Sequence, residues 1–235
     1  MAGEVLARPR GVAVVRGSAA VVSGALPAAA FPGTGRQGWL AFGALIPLLV
    51  ATDGALWRVA AALGGAAGLT FWVATIPWIA PTLARYGHLP WVLAWAVFLA
   101  LAGYLASYWA VVCAVLSRFR LRSGPLNEIF AGSLWVVLEY LRTFFFTGFP
   151  WNLLGDSQYE NRLVSRIAAV TGVYGVSSVV VAVNAALAPS GASITFAAVD
   201  QRARIRGYYE GTDSVALKRL RGDLEHLLRD GGSHP

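Results

Sequence analysis

Glu139 and Arg142 stand three residues apart inside an apolar run, a spacing that puts both on one face of a helix. Ionisable groups in a membrane helix are costly and normally face a bundle interior or a cavity. The pair therefore reads either as a structural contact near the membrane boundary or as part of a functional site. Directly downstream lies Gly148-Phe149-Pro150-Trp151-Asn152-Leu153-Leu154-Gly155-Asp156-Ser157-Gln158. Gly148 and Gly155 permit turns that other residues resist, and Pro150 fixes one dihedral. This stretch predicts a structured loop where membrane meets water. Phe149 and Trp151 either cap a helix end as an aromatic belt or line a slot for an acyl chain or headgroup.

A second loop, Trp78-Ile79-Ala80-Pro81-Thr82-Leu83-Ala84-Arg85-Tyr86-Gly87-His88-Leu89-Pro90, joins two further apolar runs and is expected to face the same water. It contributes Trp78, Tyr86 and His88 as candidates for lipid or substrate contact, with Gln158 from the first loop. His88 offers an imidazole without an assigned partner, so it is read as non-catalytic. Asn184, deep in the last apolar run, is expected to make an interhelical hydrogen bond rather than hold a ligand. Gly64, Gly65, Gly68, Gly172 and Gly175 offer small surfaces for close helix packing. The sequence holds no P-loop, zinc-ligand spacing or GxSxG elbow, and no cofactor or metal is expected.

The elements that must position these residues follow from composition. Of 235 residues, 57% are hydrophobic and 13% charged, against about 25% charged in an ordinary soluble domain. Nine Trp and eight Tyr suit the membrane–water boundary. The net charge of +7 comes almost entirely from arginines at the ends of apolar runs and in the tail. That placement suits topology and anionic headgroups, and argues against nucleic acid. The single cysteine, Cys113, excludes an intrachain disulfide.

A spanning helix needs about 20 mostly apolar residues. Runs at 59–80, 91–116, 126–146 and 164–188 satisfy this, 11–31 is a weaker fifth, and 39–52, interrupted by Pro47, is a short sixth. The predicted fold is an all-α polytopic membrane bundle of about five or six transmembrane helices, residues 1–188. Residues 1–30 also carry the parts of a secretory signal, but their apolar stretch is long for one, and a retained helix is expected. Arg8, Arg10, Arg58, Arg118, Arg120 and Arg122 outweigh Arg36, Arg85 and Arg162, which places the N-terminus in the cytoplasm and both loops outside. After Ala188 the character changes. Residues 189–235 predict a basic tail, a short β-hairpin followed by an amphipathic helix over 213–229.

Four pieces together resemble the membrane domain of apolipoprotein N-acyltransferase: Ala30-Phe31-Pro32, WIAPTLARYGHLP, LEYLRTFFFTGFPWNLLGDSQ and VTGVYGVSSVVVAVNAAL. The resemblance covers about residues 11–188. It implies a bacterial inner-membrane protein that meets phospholipid and lipoprotein acyl chains. The implied reaction moves an acyl chain from phospholipid to the α-amino group of a diacylglyceryl-cysteine lipoprotein. In that family a Glu–Lys–Cys triad in a nitrilase-like domain forms a thioester. Cys113 and the lone lysine, Lys218, match no such segment, so no catalytic residue carries over and the chain is expected to be truncated and inactive alone. The alternative is a non-catalytic lipid-binding subunit working with a separate nitrilase-like partner. The tail, from Ile194 to Leu228, is similar to the end of a Sco-type thioredoxin-like domain, whose paired cysteines and ligand histidine are missing. Such domains lie outside the cytoplasmic membrane, whereas the arginine pattern puts this tail inside. That conflict points to a reading frame joining two gene fragments.

Overall fold

Pro47 lacks an N–H, and the helix that contains it does not run unbroken. In the computed structural model, which describes residues 9–31, 37–119, 124–188, 195–199 and 205–210, the segment is divided. A single 3-10 turn at Gly38–Leu40 leads into α2 (Ala41–Ala44) and α3 (Ile46–Thr52), after α1 (Pro9–Ala30). An intact α-helix would bond the Leu45 N–H to the Ala41 carbonyl. Here the Asn184 amide stands between them: Leu45 N–H donates to Oδ1 at 2.9 Å, and Nδ2 donates to the Ala41 carbonyl at 2.7 Å. The Leu48 N–H donates to Ser23 Oγ at 2.8 Å. Two neighbouring helices thus satisfy the backbone freed by the break, as buried peptide groups require.

α4 (Trp57–Thr75) and α6 (Trp91–Arg118) are joined through the short α5 (Ile79–Tyr86). They pack antiparallel and closely. A Cβ on Gly64 would lie 2.6 Å from the Trp109 carbonyl and 2.7 Å from Cys113 Sγ, and one on Gly68 would lie 2.9 Å from Trp109 Cβ. Both glycines serve the close packing expected of them. Cys113 is buried in this seam as a small packing residue. At the far end Ser117 Oγ donates to the Ala55 carbonyl at 2.5 Å, which brings Arg58 and Arg118 to the same end of the pair.

α7 (Pro125–Arg142) packs on α8 (Arg162–Leu187). α8 is interrupted at Gly172, whose φ of 68° and ψ of −175° are not helical. Nothing lies within 4 Å of the Cβ that Gly172 lacks, so it bends the helix rather than admitting a neighbour. The core joins Leu45, Leu48, Phe71, Trp72, Phe98, Leu105, Trp109, Trp135 and Val180 from five helices.

Among the described residues, four helices are long and apolar enough to cross a membrane: Ala13–Ala30, Trp57–Thr75, Trp91–Arg118 and Arg162–Leu187. The five or six expected runs reduce to these on length and composition. The 39–52 run is short and broken, and the 126–146 run closes as a helix at Arg142 and carries Glu128, Glu139 and Arg142.

The chain divides into two compact units, Met1–Ser190 and Gly191–Pro235. In the second, β1 (Thr195–Val199) pairs antiparallel with β2 (Ile205–Glu210), Thr195 opposite Glu210 and Val199 opposite Ile205, with an irregularity between Ala198 and Val199. The helix expected over 213–229 lies outside the described residues.

Candidate functional site

The sequence after α7 cannot continue as a helix. Phe146 takes a φ of 50° inside the single turn Phe145–Thr147, and Gly148 follows at φ 83°. A Cβ on Gly148 would collide with the Thr143 carbonyl, so the turn requires glycine. The chain then passes Pro150 and Trp151, turns at Asn152 with a φ of 54°, and enters a 3-10 turn, Leu154–Gln158, through an extended Leu153.

Buried side chains of α7 and α8 hold this loop. Glu139 Oε1 accepts the Leu154 N–H at 2.8 Å, and Ser177 Oγ accepts the Gly155 N–H at 2.8 Å. Arg142 donates from a terminal guanidinium nitrogen to the Trp151 carbonyl at 2.9 Å, and its own carbonyl accepts the Phe149 N–H at 3.0 Å. Glu139 and Arg142 are 7% and 3% exposed. Each spends its hydrogen bond on the loop rather than on the other. A helical spacing that suggested a mutual pair is in fact a two-pronged clamp.

Arg142 is also held from below, with its guanidinium carbon 4.8 Å from the centre of the Trp72 ring. At the far end of the loop, Asp156 Oδ2 accepts the Leu153 N–H at 2.9 Å. Burial raises the Asp156 carboxyl above its ordinary range, opposed by that N–H and by the charge of Arg142. Gln158 is buried and donates to the Gly38 carbonyl at 2.6 Å, tying the loop to the turn before α2.

The rings form a continuous array. Trp78 lies 5.3 Å from Trp151, Trp151 lies 5.3 Å from Phe149, and Phe149 meets Trp72 edge-on at 5.7 Å. From Trp72 the array continues inward through Phe71 and Trp109 to Trp135. Its outer members, Trp78 and Trp151, are 46% and 51% exposed, whereas Trp72 is buried. The two loops named from the sequence therefore meet through a tryptophan pair. Tyr86, at the end of α5, and His88 beyond it are exposed, His88 at a φ of 51°, and neither joins the ring array.

Beneath the loop lies a small cavity between α4, α6 and α7. Trp72, Tyr108, Trp135, Glu139, Arg142 and Asn152 are among its walls. Trp135 stands four residues before Glu139 on the same helix face, a signal present in the sequence. The contributions of Trp72 and Ser177 depend on which helices are neighbours, and no local pattern carries that.

The order of these pieces is shared with known proteins. The family model described as the apolipoprotein N-acyltransferase N-terminal domain matches residues 23–186. The chain belongs to that family. An apolipoprotein N-acyltransferase from Geobacter metallireducens is 41% identical over 170 residues, which cover 72% of this chain and 32% of the relative. One from Verminephrobacter eiseniae is 34% identical over 172 residues, covering 68% and 31%. The matched stretch thus spans about a quarter to a third of the length of the apolipoprotein N-acyltransferases it resembles. The clamp, the loop and the ring array all lie within the matched region.

Proposed function

We propose that residues 1–188 act as the membrane part of a lipoprotein N-acyltransferase, holding acyl chains against the loop at 148–158. The reaction served is transfer of an acyl chain from phospholipid to the α-amino group of a diacylglyceryl-cysteine lipoprotein. The observation that carries this reading is the clamp. Two buried ionisable residues and a serine fix a loop whose exposed rings, Trp151 with Trp78, present an apolar surface at one end of the bundle. Such rings sit at the boundary between headgroups and hydrocarbon. Trp78, Phe149 and Trp151 are the residues assigned to lipid contact, with Tyr86 and His88 at its rim. Glu139, Arg142 and Gln158 position the loop.

Nucleophilic transfer needs an accessible thiolate or its equivalent. Cys113 is buried against Gly64, and the only lysine, Lys218, belongs to the second unit. In this reading residues 1–188 handle lipid and do not attack it. The same observation favours a second reading, a lipid-binding subunit whose catalytic group comes from a separate nitrilase-like partner.

The proposed setting is the bacterial inner membrane with a cytoplasmic N-terminus. The common location of Arg58 and Arg118, across the α4–α6 pair from the α5 loop, supports it. In this reading α7, about 27 Å long at the standard rise, and the broken α2–α3 segment complete the bundle as fifth and sixth membrane elements. The tail is read as a hairpin followed by an amphipathic helix.

Expression of the chain in cells depleted of their own acyltransferase tests the division of labour. Lipoproteins are expected to remain diacylated. Restored N-acylation would overturn the assignment of a non-attacking role.

A further inference from the structure

Among the described residues, three buried side-chain polar atoms have no hydrogen-bond partner: Trp72 Nε1, Trp135 Nε1 and Glu139 Oε2. All three belong to residues that line the cavity beneath the loop. Buried polar groups are rarely left unmatched, and a bound water or ion is one way such groups are satisfied. The Trp135 indole is in direct polar contact with the Glu139 carboxylate, but the contact is too long or too bent for Nε1 and Oε2 to complete a well-formed hydrogen bond.

Size and chemistry select the occupant. The cavity measures about 20 Å³, above the roughly 10–15 Å³ that one water needs. It is far too small for an acyl chain. The groups to be met are two N–H donors and one carboxylate acceptor. An ammonium ion has nothing to offer an indole N–H, an anion has nothing to offer the carboxylate, and an alkyl group serves neither. A water both accepts and donates.

We propose that this cavity is a hydration site, in which one bound water accepts from the Trp135 indole N–H and donates to Glu139 Oε2. Both oxygens of Glu139 are then engaged, Oε1 by the Leu154 N–H and Oε2 by the water. The carboxylate is held in one orientation, and the loop with it. Trp72 supplies a further donor on the α4 wall. The inference does not depend on the lipid reading.

The test is water-to-indole magnetisation transfer in the full chain, with ¹⁵N-labelled tryptophan, in lipid nanodiscs. A cross-peak from a long-lived water is expected at one buried indole, and Trp135→Phe should abolish it while Trp39→Phe, at an exposed position, leaves it intact. High-resolution density on the unsubstituted protein gives the same answer without a variant, as an ordered peak within hydrogen-bonding distance of both Trp135 Nε1 and Glu139 Oε2. No cross-peak at Trp135, or density showing the indole bonded directly to the carboxylate, would overturn the proposal.

Discussion

Glu139 Oε1 accepts the Leu154 backbone N–H at 2.8 Å across fifteen residues of chain, and this bond fastens the interfacial loop to α7. Loss of the acceptor leaves a buried N–H unmatched, at a cost of about 1–3 kcal/mol. Glu139→Leu should therefore free the loop, and Glu139→Gln, which keeps a carbonyl oxygen, should hold it better. Hydrogen exchange of residues 148–158 reads the difference. Equal protection in both variants would show that the bond does not anchor the loop.

Asn184→Leu removes two bonds to the break between α2 and α3, exposing the Leu45 N–H and the Ala41 carbonyl to an apolar core. A loss of about 1–3 kcal/mol per unmatched group is expected, read as a fall in unfolding temperature in detergent. Asn184→Asp keeps an acceptor for Leu45, and burial drives its carboxyl to the protonated form, whose single O–H can donate to the Ala41 carbonyl, so it should fall between the native protein and Asn184→Leu.

Glycines separate by their surroundings. Gly148→Ala meets the Thr143 carbonyl at a φ of 83° and should destabilise the protein. Gly103, inside α6, has nothing within 4 Å of its missing Cβ. There alanine's helix propensity favours it by up to about 1 kcal/mol, so Gly103→Ala should be neutral or stabilising. Comparison of the two unfolding temperatures checks both signs.

Much of this site was legible in the sequence because its signals are local. Gly148, Pro150 and Gly155 announce a loop, and the spacing of Glu139 and Arg142 places both on one helix face. A polar Asn184 in an apolar run announces an interhelical bond. What stayed hidden depends on which helices become neighbours. Trp72 lies under Arg142, and Ser177 lies under Gly155, through packing that no single run records. Gly172 carried an ambiguous signal, since a glycine in an apolar helix serves close packing or a bend equally well. The break at Leu45 was half visible, through Pro47, but its repair by Ser23 and Asn184 was not.

Trp151 and Arg142 allow lipid contact to be separated from folding, because the clamp grips the Trp151 backbone carbonyl and leaves its ring free to meet Trp78 and Phe149. Trp151→Ala should keep the loop in place, with hydrogen exchange of residues 152–158 close to native.

The central claim is that this ring surface holds acyl chains, and photocrosslinking with a phospholipid bearing a diazirine near its acyl terminus tests it most directly. In nanodiscs, adducts mapped by mass spectrometry should concentrate at Trp78, Phe149 and Trp151, and fall several-fold in Trp151→Ala. Adducts spread along the exposed faces of α1, α4 and α6, with none at the loop and no response to Trp151→Ala, would contradict it.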